Sequence, residues 1–175
     1  MHLASKEISD QAMAYREAGY TVACWSLGFR VKRATIISHD KPSEFLTWLR
    51  AARFSCNSGL SRRSIVRYHD RIACALAGRQ AQRRVALQSV RSRDANCDEA
   101  TAAELLLRLH GEEKEASHAF RYLQARARNL VSNPINWRRI EDLAKALLER
   151  QTLTGKEVKK VLAGSLQAQM QEART

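Results

Sequence analysis

Apolar residues recur at helical spacing along most of the chain, and this pattern predicts a mainly α-helical (α+β) fold with a small β element near the N-terminus. The first predicted helix covers residues 9–27, because Ser9 or Asp10 can cap its start and Gly28 can end it. The positions expected to form its buried stripe are Ala14, Ala18, Val22 and Trp25.

The β element is predicted in the segment that follows this helix. Residues 31–38 (VKRATIIS) are rich in β-branched side chains, which is typical of a strand. Residues 39–42 (HDKP) predict a turn. Residues 43–60 are ambiguous, because apolar residues at helical spacing are followed by a loop-like Asn-Ser-Gly.

Helical periodicity dominates residues 61–163, with a break at Asn133-Pro134. A leucine-rich helix is predicted at about 99–110, and Thr154 and Glu157 have the spacing of a capping box at the start of the last helix. The chain is therefore predicted to have a loose leader at 1–8, a single domain at 9–165 and a C-terminal tail at 166–175. The apolar helix positions expected in the core of this body are Ile65, Tyr68, Ile72, Leu76, Ala116, Phe120, Leu123, Ala127, Trp137, Ile140, Ala144, Leu147, Val158, Val161 and Leu162.

The charge balance changes the picture of what this domain could bind. At 175 residues the chain can enclose a core, but its formal net charge is +12 and its pI is about 10.1. Such a charge favours an acidic partner, either nucleic acid, an anionic membrane surface or an acidic protein face, although a solvated arginine-rich surface explains it equally well. The candidate nucleic-acid footprint is Arg62, Arg63, Arg67, Arg79, Arg83, Arg84, Arg91 and Arg93.

The sequence also predicts a compartment. No apolar run is long enough to span a bilayer, and the first residues lack the hydrophobic region of a signal peptide. The four cysteines are widely spaced and form no CxxC pair, so reduced, buried thiols are expected rather than disulfides or a structural zinc site. These features predict a cytoplasmic protein.

One stretch of the first helix has the frame of a zinc-protease motif without its ligands. The HExxH motif directs two imidazoles, four residues apart, at one zinc ion and uses its glutamate as the base. Here Glu17 occupies the glutamate position, but Arg16 and Tyr20 stand where the two histidines belong. An arginine has no lone pair to donate to a metal, and a tyrosine would first have to lose a proton with a reference pKa of about 10.

Four collinear segments resemble the zinc-protease domain of the FtsH-type ATP-dependent metallopeptidases, over about residues 10–163. AYREAGYTVACWSLGFRVKRATII is similar to the family's HEAGH helix and following strand, and IACALAGRQAQ to its LxGRxAE helix. NCDEATAAELL resembles the segment that supplies an aspartate as third zinc ligand, and INWRRIEDLAKALLERQTLTGKEVKKVL resembles the C-terminal helices with their TLTGxE turn. The resemblance implies a helical peptidase-like fold, a zinc cofactor and endopeptidase activity.

The departures from the family imply that this zinc pocket is vestigial. The resemblance places the third ligand at Asp98, the base at Glu17 and the family's acidic residue after GRxA at Gln82. Arg16 is expected to replace the zinc charge and to pair with Asp98, while Tyr20 fills the volume of an imidazole. No metal is expected at this pocket, and no ATP site either, because the chain has no GxxxxGK[ST] phosphate loop.

Three classes of function stay open. The first is a pseudopeptidase, not an enzyme, that acts as a protein- or peptide-binding or regulatory module. The second is a basic nucleic-acid-associated protein, whose arginines lack the interleaved aromatic residues needed for single-strand stacking. The third is an active metalloendopeptidase with unusual ligands, although the five histidines form no close i, i+4 pair. The sequence leaves the partner and the oligomeric state open, a homo-oligomer included.

Overall fold

The computed structural model describes residues 2–37, 60–86 and 93–172, and within them the side chains of residues 10–37, 60–86 and 99–165. These residues form six helices and a two-stranded antiparallel sheet, so the predicted mainly helical fold with a small β element is confirmed. The helices are α1 (His2–Ser26), α2 (Arg62–Val85), α3 (Arg93–His110), α4 (Glu113–Ser132), α5 (Pro134–Arg150) and α6 (Gly155–Glu172), and the strands are β1 (Arg33–Thr35) and β2 (Thr152–Thr154).

Helix α1 begins earlier than its predicted cap. It starts at His2, so residues 2–8 are helical rather than a loose leader, and Ser9 and Asp10 lie inside the helix. These first residues contain no glycine or proline and include several good helix formers, which explains the extension. The predicted end is confirmed, because Gly28 adopts a φ of 74° and the Phe29 N–H donates to the Cys24 carbonyl at 2.8 Å.

The last helix also continues beyond its predicted end. Helix α6 runs to Glu172, so residues 166–172 are helical instead of forming a tail. The predicted capping box is confirmed at its start, since the Thr154 N–H donates to Glu157 Oε2 at 2.8 Å and the Glu157 N–H donates to Thr154 Oγ1 at 3.4 Å. The break at Asn133-Pro134 is confirmed too, with the Asn133 side chain accepting from two N–H groups of α5.

The sheet joins two distant parts of the chain. Strand β1 is shorter than the predicted 31–38 and pairs antiparallel with β2, with Ala34 opposite Leu153. One further bond lies beyond the paired strands, from the Gly155 N–H at the start of α6 to the Lys32 carbonyl at 2.7 Å. Residue 38, the predicted turn at 39–42 and the ambiguous segment up to residue 59 lie outside the described residues.

The core lies where α1 packs against α2 and α5. Ala14, Ala18 and Val22 of the predicted stripe are buried, but Trp25, in the last turn of α1, is 37% exposed. Ten of the fifteen core positions predicted for the helical body are buried, and the other five are half-buried: Ile65, Tyr68, Phe120, Trp137 and Val161. Among the described helices, none is both long enough and apolar enough to cross a membrane.

Candidate functional site

Helices α1 and α2 approach each other closely at two glycines, directly beside the degenerate zinc motif. A Cβ atom built on Gly19 would lie 2.6 Å from the Ala81 Cβ atom. One built on Gly78 would lie 2.7 Å from the Arg16 carbonyl oxygen and 3.2 Å from the Tyr20 Cβ atom. Because only glycine leaves room at these positions, the motif REAGY of α1 and the motif AGRQA of α2 face each other across this contact.

Glu17, which the resemblance places at the position of the base, lies beside strand β1. Its Oε1 accepts from the Thr35 N–H at 3.4 Å, and its side chain is half-buried. In an antiparallel pair, alternate N–H groups point away from the partner strand. The Ile36 N–H donates to the Gln151 carbonyl on the β2 side, so the Thr35 N–H belongs to the other edge of β1, which faces α1.

Tyr20, which the resemblance places at the second histidine position, belongs to a mostly buried cluster with Cys24 and Cys74. Its hydroxyl accepts from Arg71 Nη1 at 3.4 Å, and burial raises its pKa well above the ordinary value of 10.0. Both cysteines are free thiols and buried. A hydrogen bond to Cys24, together with burial, raises the pKa of the Cys74 thiol. Tyr20 and Cys74 therefore keep their protons at physiological pH, whereas the hydrogen bond with Cys74 lowers the pKa of the Cys24 thiol. The Arg71 guanidinium beside them lies over the Phe29 ring at 4.4 Å.

Arg79, one residue after Gly78, links α2 to the start of α3. It is 3% exposed, and its Nε atom lies 2.8 Å from Glu99 Oε1. The same carboxylate oxygen lies 3.1 Å from Arg83 Nη2. Gln82, at the position of the family's acidic residue, is 6% exposed. The ion pairs therefore hold α3 against the part of α2 that contacts the degenerate motif.

The predicted pair between Arg16 and Asp98 stays a prediction. Arg16 is half-buried in α1, and Asp98 lies in α3, but the Asp98 side chain is outside the described side chains. The backbone placement is favourable, since Glu99 is the next residue and binds Arg79. Arg79 in turn follows Gly78, which contacts the Arg16 backbone.

The residues at this pocket do not fit the zinc ion that the resembled family uses. Arg16 has no lone pair, and Tyr20 keeps its proton because it is buried. Over the described residues, no group of three or more histidine, cysteine, aspartate or glutamate residues is placed to hold a metal ion. We therefore derive no zinc chemistry for this pocket.

The described arginines of the predicted basic footprint do not all lie on one exposed surface. Arg62, Arg63 and Arg67 are exposed in the first turns of α2. Arg79 is buried in its ion pair, and Arg84, near the other end of the helix, lies over the Trp137 ring at 3.8 Å. The side chains of Arg91 and Arg93 lie outside the described ones. The exposed arginines at the start of α2 are therefore the part of the footprint available as one basic surface.

Sequence reasoning missed two contacts between α2 and α3. Glu99 received no role, although it adjoins the predicted ligand position and follows the buried Arg79 by 20 positions. His69 and His110 meet through their Nε2 atoms at 3.2 Å and are 41 positions apart. No local spacing signals a contact over such separations, because it depends on how two helices are docked. Comparison of the sequence with protein-family models and with curated proteins gave no match.

Proposed function

We propose that this protein is a pseudopeptidase, an FtsH-type peptidase-like domain that binds protein or peptide segments without cleaving them. The loss of zinc ligands at Arg16 and Tyr20 removes the chemistry by which the family polarises a carbonyl and generates hydroxide. What supports retention of the family's shape is the convergence of the four resembling segments in space.

These segments are far apart in sequence, but each contacts at least one of the others in the folded chain. The first contains α1 and β1, and the second, in α2, packs on α1 through Gly19 and Gly78. The third lies in α3, which Glu99 ties to Arg79. The fourth contributes β2, which pairs with β1. The chain of contacts that joins the four motif segments, the second and fourth to the first and the third to the second, is the observation that carries the proposal.

The edge of β1 that lacks a partner strand among the described residues, called the open edge, is the proposed peptide-binding surface, and a bound peptide would replace Glu17 as the partner of the Thr35 N–H. The sheet of the described residues has two strands, so no described strand pairs with the edge of β1 that carries the Thr35 N–H. A peptide in extended conformation can add to such an edge through main-chain hydrogen bonds. Arg30, Lys32 and Arg33 are exposed around this edge, and we therefore expect a preference for acidic segments.

Restoring the lost ligands tests whether the pocket is a former zinc site. The double variant Arg16→His/Tyr20→His should retain about one zinc ion per chain after gel filtration, because Asp98 would complete three protein ligands. The matched control Lys159→His/Ala163→His places the same spacing on an exposed face of α6 and should retain none. Adding Asp98→Asn to the pocket variant should abolish the retention of zinc. Equal zinc content in the pocket variant and the control would refute the idea that the pocket is a former zinc site.

Binding measurements test the proposed activity itself. Fluorescence anisotropy of a labelled unfolded casein should show saturable binding that persists at about 0.5 M NaCl, since main-chain hydrogen bonds are screened little by salt. Arg33→Pro removes an N–H from the open edge of β1 and should weaken binding more than Arg33→Ala, which keeps that N–H. Equal effects of the two substitutions would contradict the strand-addition mode.

Nucleic-acid binding is the second candidate, and the exposed Arg62, Arg63 and Arg67 favour it. The affinity of binding through phosphate contacts falls steeply with added salt, because that binding is driven by the release of counterions from the nucleic acid. Tight binding of a labelled DNA duplex at about 50 mM NaCl that is lost at about 200 mM, together with no binding of casein, would select this candidate. Replacing the three arginines by glutamine should then remove the DNA signal.

A further inference from the structure

Two histidines meet edge to edge where α2 and α3 lie together. The Nε2 atom of His69 in α2 lies 3.2 Å from the Nε2 atom of His110 in α3. Their ring planes differ by 29°, and the ring centroids, at 5.3 Å, are farther apart than the two Nε2 atoms, so the Nε2 edges are where the rings meet. Both side chains are half-buried, with 22% of the His110 side chain still exposed.

The separation of the two nitrogen atoms suits a shared metal ion. Zinc–nitrogen bonds to histidine are about 2.0–2.1 Å long, so two nitrogens 3.2 Å apart can bind one ion with a nitrogen–metal–nitrogen angle of about 100°. That angle is close to the tetrahedral value. In a direct hydrogen bond between the rings, one Nε2 atom carries the proton. A metal ion would take the place of that proton once the ring carries it on Nδ1 instead.

We propose that His69 and His110 form a binding site for a divalent transition-metal ion such as Zn²⁺ or Ni²⁺, which connects α2 to α3. Neutral imidazole is a ligand that these ions prefer. No third histidine, cysteine, aspartate or glutamate joins the pair within the described residues, so water molecules complete the coordination. The site is separate from the pocket of α1 and does not depend on the proposed pseudopeptidase function.

The surroundings favour unprotonated imidazoles and a cation. Burial, with His110 as a neighbour, lowers the pKa of His69 below its ordinary value of 6.5, so its ring is neutral at physiological pH. Glu115 Oε2 lies 3.8 Å from His110 Nδ1, and this carboxylate can orient the ring from behind. The one nearby cation among the groups described around His69, Arg126, is paired with Asp70 at 2.6 Å.

A metal ion here would act as a reversible clamp. Helices α2 and α3 are already joined by the ion pairs of Glu99 with Arg79 and Arg83, far along α2 from His69. A second connection at the histidines would fix both ends of the helix pair. With two protein ligands, the ion is held more weakly than by a three-ligand zinc site, so it exchanges and does not survive gel filtration.

Calorimetric titration of the full chain with ZnCl₂ and NiCl₂ at about pH 7.5 tests the proposal. We expect one ion per chain, and a rise in Tm of about 3–8 °C at a saturating concentration of about 1 mM. His69→Gln and His110→Gln should each abolish the titration heat and the Tm rise. The matched control His118→Gln alters an exposed histidine of α4 and should leave both unchanged.

Two results would overturn the proposal. One is titration heat of the same size in all three histidine variants, which would assign the ion to other groups such as the cysteines. The other is no heat and no Tm rise in the unaltered chain at about 1 mM metal, which would leave the contact as a hydrogen bond between two histidines. Near-identical circular dichroism and metal-free Tm values of the Gln variants show that any loss of binding is not a loss of folding.

Discussion

Gly78 of α2 packs against the main-chain carbonyl of Arg16 in α1, at a separation that leaves no room for a side chain. A Cβ atom at Gly78 would lie 2.7 Å from the Arg16 oxygen, which is main chain and cannot rotate away. The contact therefore fixes the distance between the helix that carries the degenerate zinc motif and the helix that carries the buried Arg79.

Gly78→Ala should therefore destabilise the protein by about 1–3 kcal/mol, because the helices must separate to admit the methyl group. The matched control is Gly164→Ala in α6, where a new Cβ atom meets nothing within 4 Å and helix propensity alone should stabilise by about 0.5–1 kcal/mol. Urea denaturation of the two variants measures both effects. A neutral Gly78→Ala would mean that the two helices can move apart at little cost.

Much of the fold follows from local patterns. The end of α1 at Gly28, the break at Asn133-Pro134 and the capping box at Thr154 are each set by the backbone needs of a helix end, and the sequence signals of all three are strong. The start of α1 was predicted wrongly because Ser9 and Asp10 can cap a helix but are also tolerated inside one.

The candidate site was less predictable, because its contacts depend on docking between helices. Arg79 is an arginine in a basic stretch, and only the approach of Glu99 from α3 makes it a buried ion pair. The contact of His69 with His110 has the same origin. The resemblance assigned Glu17 only a base position, and its bond with the Thr35 N–H depends on the placement of a strand.

A double-mutant cycle tests the predicted pair of Arg16 and Asp98. Because Arg16 is half-buried, we expect a coupling energy of about 1–2 kcal/mol rather than the larger cost of a fully buried charge. The losses of stability of the single variants, Arg16→Met and Asp98→Asn, should add up to more than the loss measured for the double variant. Additive losses would place the two side chains apart.

The unaltered protein should neither retain zinc nor cleave casein. Arg16 and Tyr20 cannot replace two imidazoles, so a gel-filtered sample should contain far less than one zinc ion per chain by mass spectrometry of its metal content. The protease assay needs a parallel sample with a metal chelator. Near-equimolar zinc with proteolysis that the chelator abolishes would show an active site built from other ligands.

The lowered pKa of His69 should make the stability of the protein depend on pH. Its pKa is lowered in the folded protein by burial and by His110, with Asp70 and Arg126 as the other charged neighbours. Below the ordinary value of 6.5 the unfolded chain therefore binds more protons than the folded one, so stability falls as pH drops and levels off below the folded pKa.

His69→Gln should reduce this loss of stability, measured as the free energy of unfolding in urea between about pH 7.5 and pH 5. His118→Gln, which changes an exposed histidine, should keep the slope of the unaltered protein. An identical slope in the unaltered protein and His69→Gln would show that His69 titrates normally in the folded state.

The sheet has a consequence for the time order of folding. Thr35 and Thr152 bond through their hydroxyl groups at 2.7 Å, yet they are 117 positions apart. At a synthesis rate of roughly 5–20 residues per second, β1 leaves the ribosome on the order of 10 s before β2. Long-range pairings of this kind form slowly. During that interval Glu17, only 18 positions from Thr35, can already accept from the Thr35 N–H, so helix α1 can hold the nascent strand against itself until β2 is made.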